Sequence, residues 1–210
     1  ENACHEILAA AGLGVPEARL VTSEEKAIAA AKEIQFPVVM KGISPQVTHR
    51  AAAGLIALDL RNVDEAREAF RELTARALQD HVTLDGIFIE HMVKGKLELL
   101  VSAFRDPIFG VMVVCGAGGN FTELLDDVTL ERAPFDVTRA AQVLKRLKIV
   151  QRAGRIDPDA ELTAAAEFVS RFSALAVSAP WRRFVLEVNP IKWRANSAVA
   201  VDGLLIIEEP

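Results

Sequence analysis

The chain has 210 residues, 51% apolar and 25% charged, with a net charge of −5 at neutral pH. That excludes a disordered polar chain and gives no electrostatic case for nucleic-acid binding, while leaving ample length to bury one or two cores. The longest apolar runs, such as 111–115 and 204–207, fall far short of the ~20 residues a membrane span needs. The two cysteines, Cys4 and Cys115, fit a reducing compartment and cannot build a zinc site. A cytoplasmic protein without a membrane or nucleic-acid partner is expected, and the missing initiator Met points to a fragment or a processed start.

Residues 2–11 read as an alanine-rich helix stopped by Gly12, Gly14 and Pro16. Thr22-Ser23-Glu24-Glu25 reads as a capping box that opens a helix to about Gln35, which Pro37 ends. Val38-Val39-Met40 is a buried-strand pattern running into Lys41, and a turn-rich stretch, 42–53, leads to a second strand at 55–60. Asn62 caps a helix to about Leu78 with Ala66, Phe70, Leu73 and Ala77 on one face. Strands follow at 87–89, 97–104 and 111–115, the last two joined at Arg105-Asp106-Pro107 as a hairpin. Asp136 caps a helix with Ala140, Val143, Leu144 and Leu147 in phase, and a second helix spans about 159–178. Closing strands are expected at 184–188 and 198–201, with a short one at 204–207. Helices mixed with a hairpin predict an α+β fold, and the segment 91–96 suggests a boundary between lobes at 1–92 and 93–210.

Five places carry chemistry. Lys41 ends an apolar strand, where a buried ammonium is costly unless it meets an anion such as a nucleotide phosphate; a solvated strand-end lysine is the plain alternative. Gly116-Ala117-Gly118-Gly119 follows a strand, and its glycines let backbone amides point into an anion-sized concavity, or simply make a tight turn. Period-two alternation puts Glu187 and Asn189 on one strand face, with Asp202 ending a neighbouring strand; such oxygen donors suit Mg²⁺, although Asn-Pro is equally a turn signal. Glu90 and Glu98 flank the lobe boundary, as nucleotide contacts or as solvated strand-end carboxylates. Of four histidines, His49 lies in a loop eight residues beyond Lys41 and is a candidate nucleophile or base. No zinc-binding or nucleophile-elbow pattern occurs.

In order and approximate spacing, Phe36–Lys41, Ser44-Pro45 with His49-Arg50, Glu98–Val101 with Arg105–Gly110, Gly116–Gly119 with Glu123, and Glu187–Pro190 with Val201-Asp202 resemble one family over nearly the whole chain. It is the ATP-grasp domain of NDP-forming acyl-CoA synthetases, the ADP-forming acetyl-CoA synthetases among them, distantly related to the succinyl-CoA synthetase β chain. The resemblance implies an ATP-grasp fold of two α+β lobes with ATP and Mg²⁺ between them. It implies that Lys41 contacts the phosphates, Glu90 lies near the adenine, Glu98 near the ribose, and Asn189 and Asp202 hold Mg²⁺ with Glu187 beside them. The loop of Gly116, Gly118 and Gly119 with Glu123 would sit near the transferred phosphoryl group, and His49 would shuttle it. The implied reaction makes acyl-CoA from a carboxylic acid, CoA and ATP, releasing ADP and phosphate, with CoA-binding and CoA-ligase domains in cis or in a partner subunit. In the family a hydroxyl and a carboxylate follow the histidine, whereas here Arg50-Ala51-Ala52-Ala53 follows His49. That departure keeps open a non-catalytic, ligand-sensing domain of the kind fused to protein lysine acetyltransferases. Another ATP-grasp carboxylate ligase is a third reading.

Overall fold

The computed structural model describes residues 2–47, 50–119, 126–157, 161–194 and 196–208. Two compact units emerge: Pro16–Met92, and a second formed by Ala3–Val15 with Val93–Pro210. This differs from the expected 1–92 lobe, because the first helix, α1 (Asn2–Ala10), buries Cys4 and Leu8 in the apolar core of the second unit.

The unit Pro16–Met92 is a four-stranded antiparallel sheet, β1 (Ala18–Val21), β2 (Val38–Ile43), β3 (Ile56–Leu60) and β4 (Gly86–His91), in the order β1-β4-β2-β3. Two helices, α2 (Glu24–Ile34) and α3 (Val63–Gln79), pack on one face. Their small side chains, Ala27, Ala30, Ala31, Ala66 and Ala69, are buried against Val38, Met40, Ile87 and Ile89. Ser23, not Thr22, caps α2, its Oγ accepting from the Lys26 amide, so the reciprocal box expected from Thr22 and Glu25 does not form. Asn62 caps α3 as its sequence signals, accepting from the amides of Asp64 and Glu65 at 3.0 Å each.

The second unit is built on β5 (Leu97–Asp106), β6 (Gly110–Ala117), β7 (Val128–Arg132), β8 (Phe184–Arg194), β9 (Ser197–Ala200) and β10 (Gly203–Ile207), all antiparallel. The strand order is β10-β8-β5-β6-β7, with β9 on β8. Leu97, Leu99, Val101, Val113, Leu186, Val188, Ile191 and Trp193 form one face and share an apolar core with α1, α4 (Val137–Leu144), α5 (Lys148–Ile156) and α6 (Thr163–Ser178). The opposite face carries the alternate residues of the same strands.

β8 runs well past Val188, where the sequence pattern ended it. Val101 lies opposite Val188 but Leu99 lies opposite Ile191, so β8 carries one extra residue at Asn189-Pro190. Proline lacks a ladder donor and is tolerated at such a bulge. Because of it Ile191 and Trp193 stay in the core, while Lys192 joins Glu187 and Asn189 on the other face. No helix among the described residues is long and apolar enough to cross a membrane.

Candidate functional site

In the sheet of Pro16–Met92, Lys41 faces Phe88 across the β2–β4 ladder and Glu90 lies two residues farther along. Diagonal neighbours on adjacent strands share a face, here the one turned from α2 and α3. Lys41 Nζ meets Glu90 Oε1 at 2.8 Å, and the two side chains are only 4% and 1% exposed. The anion that a buried Lys41 requires is therefore supplied by the protein. Glu90, expected near the adenine, is brought to Lys41.

In the second unit, Glu98 on β5 stands opposite Lys192 on β8, with Lys192 Nζ 3.5 Å from Glu98 Oε1. Four residues farther along β5, Ser102 stands opposite Glu187, whose other neighbour on β10 is Leu204. Asp202 immediately precedes β10, and its backbone oxygen accepts from the Asn189 amide at 3.1 Å. Glu187 is half-buried, and its pKa lies above the ordinary 4.5: desolvation raises it, a Ser102 hydrogen bond partly opposes that, and the Asp202 charge adds to the rise. Glu187, Asn189 and Asp202 thus gather on one edge of the sheet face. Their hard oxygens, including two carboxylates that repel each other, fit a Mg²⁺ ion carrying nucleotide phosphates. Among the described residues no group of three His, Cys, Asp or Glu side chains stands ready to hold a metal, so an ion here would rely on the Asn189 amide oxygen and on phosphate.

The glycine segment works differently from its sequence expectation. The Gly118 amide donates to Glu98 O at 2.9 Å and the Gly119 amide to Asn189 Oδ1 at 2.8 Å. The Ala117 amide donates to Asp127 O at 3.1 Å. These three donors face protein acceptors rather than an anion cavity. The glycines are required instead by close approach: a Cβ on Gly118 would sit 2.5 Å from the Leu99 carbonyl, and one on Gly119, at φ +62°, would overlap Glu98 Oε2. A Cβ on Gly116 would meet Asp127 O at 3.1 Å. Glu123 and His49 lie outside the described residues.

Three residues of this region escaped the sequence reading. Lys192 is placed by the bulge, so uninterrupted alternation from Glu187 puts it on the wrong face. Ser102 interrupts an apolar strand, a signal that was available. Asp127 is buried beyond the glycine segment, and its carboxylate accepts from the amides of Lys148 and Ile149, both at 2.9 Å. It caps α5 from a distant loop.

Residues 1–207 match a family model described as an ATP-grasp domain, and the chain belongs to that family. Two antiparallel sheets with flanking helices make it an α+β protein of the ATP-grasp fold. Within the family it groups with the ADP-forming acyl-CoA synthetases. It is 35% identical over 211 residues to the acetate–CoA ligase [ADP-forming] I subunit β of Pyrococcus furiosus, covering 99% of this chain and 90% of that one. It is 33% identical over 195 residues to the 4-hydroxybutyrate–CoA ligase [ADP-forming] of Nitrosopumilus maritimus, covering 91% of this chain but 28% of that longer protein. Among solved structures it resembles acetyl-coenzyme A synthetase 1 of Candidatus Korarchaeum cryptofilum. The complex with coenzyme A and Ca-AMPCP gives a TM-score of 0.90 at 28% identity, covering 99% of this chain and 92% of that one. The complex with coenzyme A and Mg-AMPPCP, its phosphohistidine segment pointing towards the nucleotide site, gives 0.83 at 27% identity, covering 99% and 92%.

Proposed function

We propose that this chain is the ATP-binding component of an ADP-forming acyl-CoA synthetase. The observation that carries the proposal is its likeness to the Pyrococcus furiosus β subunit across 99% of its length. The γ-phosphoryl group leaves ADP behind as a P–N bond forms on a histidine ring. The phosphoryl then passes to a carboxylic acid as acyl phosphate, and the CoA thiol displaces phosphate to give acyl-CoA. The CoA-binding and CoA-ligase parts are supplied in cis or by a partner subunit, a reading supported by the longer relative that this chain spans by less than a third. The cytoplasm is its compartment. The relatives named above are ligases, so they lend the ligand-sensing alternative no support.

Lys41 meets the phosphates as the positive end of its pair with Glu90, and Glu98 receives the ribose. Gly116, Gly118 and Gly119 act with Glu123 near the transferred phosphoryl group, and His49 relays it. Asn189, Asp202 and Glu187 hold Mg²⁺, which when bound supplies neutralisation of phosphate charge. The carboxylates do this work ionised, and occupancy by a cation favours that state at Glu187.

Calorimetric titration with Mg-ADP is the direct test. Binding is expected, and no heat at millimolar nucleotide would overturn the assignment. Lys41→Ala should weaken nucleotide binding with or without metal, whereas Asp202→Ala should weaken the metal-dependent part more; circular dichroism verifies that each variant is folded. Equal effects of both changes in both conditions would refute the division of roles. With acetate, CoA and ATP, these 210 residues alone should make no acetyl-CoA.

A further inference from the structure

The entry to the glycine segment is held by two adjacent strands. β5 takes the Gly118 amide on Glu98 O, and β8 takes the next amide, that of Gly119, on the side chain of Asn189 at 2.8 Å. Gly119 is set in the left-handed region, φ +62°, hard against the Glu98 carboxylate, which Lys192 holds from across the ladder at 3.5 Å. The β8 bulge falls at Asn189-Pro190, and the bond from the Asn189 amide to Asp202 O fixes its backbone. A bulge re-aims the side chain that it carries. The Asn189 side chain thus reaches the glycine segment 70 residues away in sequence.

We infer that Asn189 is a latch: the same Oδ1 that accepts the Gly119 amide is a donor for the cation, so that metal–nucleotide binding and the position of the glycine segment are coupled through one side chain. The coupling half rests on the Mg²⁺-nucleotide reading above; the latch itself does not. A neutral amide suits both duties. It adds no third negative charge beside Glu187 and Asp202, and a cation on the oxygen holds the carbonyl in the orientation that receives Gly119. Asn189 is then a positioning residue for Gly119, in addition to holding the metal.

Amide exchange of Gly119, followed by NMR on the whole chain with and without saturating Mg-ADP, separates the two halves. Without ligand, Asn189→Ala should speed Gly119 exchange about tenfold, the worth of one lost hydrogen bond, while Asn189→Asp, which keeps an acceptor oxygen, should retain protection. With Mg-ADP, Gly119 exchange should slow further in the wild type and in Asn189→Asp but not in Asn189→Ala. Should Asn189→Ala fail to fold, Asn189→Ser, with an oxygen too short for the same reach, makes the same measurement. Wild-type exchange at Gly119 in the ligand-free Ala or Ser variant overturns the latch. Mg-ADP that binds the wild type without slowing Gly119 exchange overturns the coupling. Mg-ADP that does not bind at all, with the ligand-free effect intact, overturns the coupling together with the proposed function and leaves the latch standing.

Discussion

In the unit Pro16–Met92 the charged pair Lys41–Glu90 is almost wholly buried and neutral as a pair. The unit with Val93–Pro210 instead spreads Glu98, Glu187 and Asp202 over partly buried positions, with Lys192 as the neighbouring cation on Glu98. The first arrangement is complete without a ligand, because desolvation of each charge is offset by the other. The second carries a surplus of negative charge; the pKa of Glu187 is raised chiefly by burial, with the Asp202 charge adding a smaller part. One sheet keeps its lysine in place by internal pairing; the other keeps its carboxylates in a state that an external cation would relieve.

The sharpest way to break that contrast is to remove one half of the buried pair. Lys41→Met leaves the Glu90 carboxylate buried without its ammonium and should cost about 3–5 kcal/mol, measured by urea unfolding near neutral pH. The double change Lys41→Met with Glu90→Leu should recover most of the loss, since an apolar pair of similar volume needs no compensation. If the single variant unfolds within about 1 kcal/mol of the wild type, a loss typical only of an exposed pair, the pair is solvated and the two units do not differ in this way.

The helix caps sharpen the contrast at a smaller scale. Asp127→Ala removes a buried carboxylate that receives two amides of α5 and should cost about 2–3 kcal/mol, because bonds to a charged group are the stronger kind. Asn62→Ala in the other unit should cost about 1 kcal/mol. Hydrogen exchange should localise the first loss to Lys148 and Ile149 and the second to Asp64 and Glu65. Equal costs would show that the remote cap gains nothing from its charge.

Those two caps also mark what was legible in the sequence. Asn62 lies beside the helix it caps, so the periodic pattern and its polar start were visible together. Asp127 caps a helix 21 and 22 residues downstream, and α5 itself, KIVQRAGRI, has no capping side chain of its own; neither was foreseen. β7 was missed because it is an edge strand that leaves Val128 and Leu130 exposed, which gives it no buried alternation. At the site, the approach of Glu187, Asn189 and Asp202 was readable from strand alternation and a nearby strand end. The partners of Lys41 and of the Gly118 and Gly119 amides were not, because each is fixed by long-range strand pairing. The family resemblance supplied the roles that spacing alone leaves open.

The smallest expected effect concerns Glu187, and its sign is the informative part. Burial raises its native pKa above the 4.5 of an ordinary glutamate, so as pH rises the unfolded chain gives up this proton before the folded one does. Through that window the folded state binds more protons, and linkage then requires stability to fall with rising pH. Below the unfolded pKa both states are protonated and the group contributes no penalty; above the folded pKa the penalty is constant. Glu187→Gln removes the titration while keeping the volume and an acceptor for Ser102. Thermal midpoints of the two proteins should therefore nearly coincide in acid and separate in favour of Gln as pH approaches neutrality. Saturating Mg-ADP should reverse the order by stabilising the wild type more, because the cation favours the ionised carboxylate. A Gln variant less stable than the wild type at neutral pH without ligand would mean that Glu187 is a structural acceptor, and the surplus charge of this unit would not be what distinguishes it from the other.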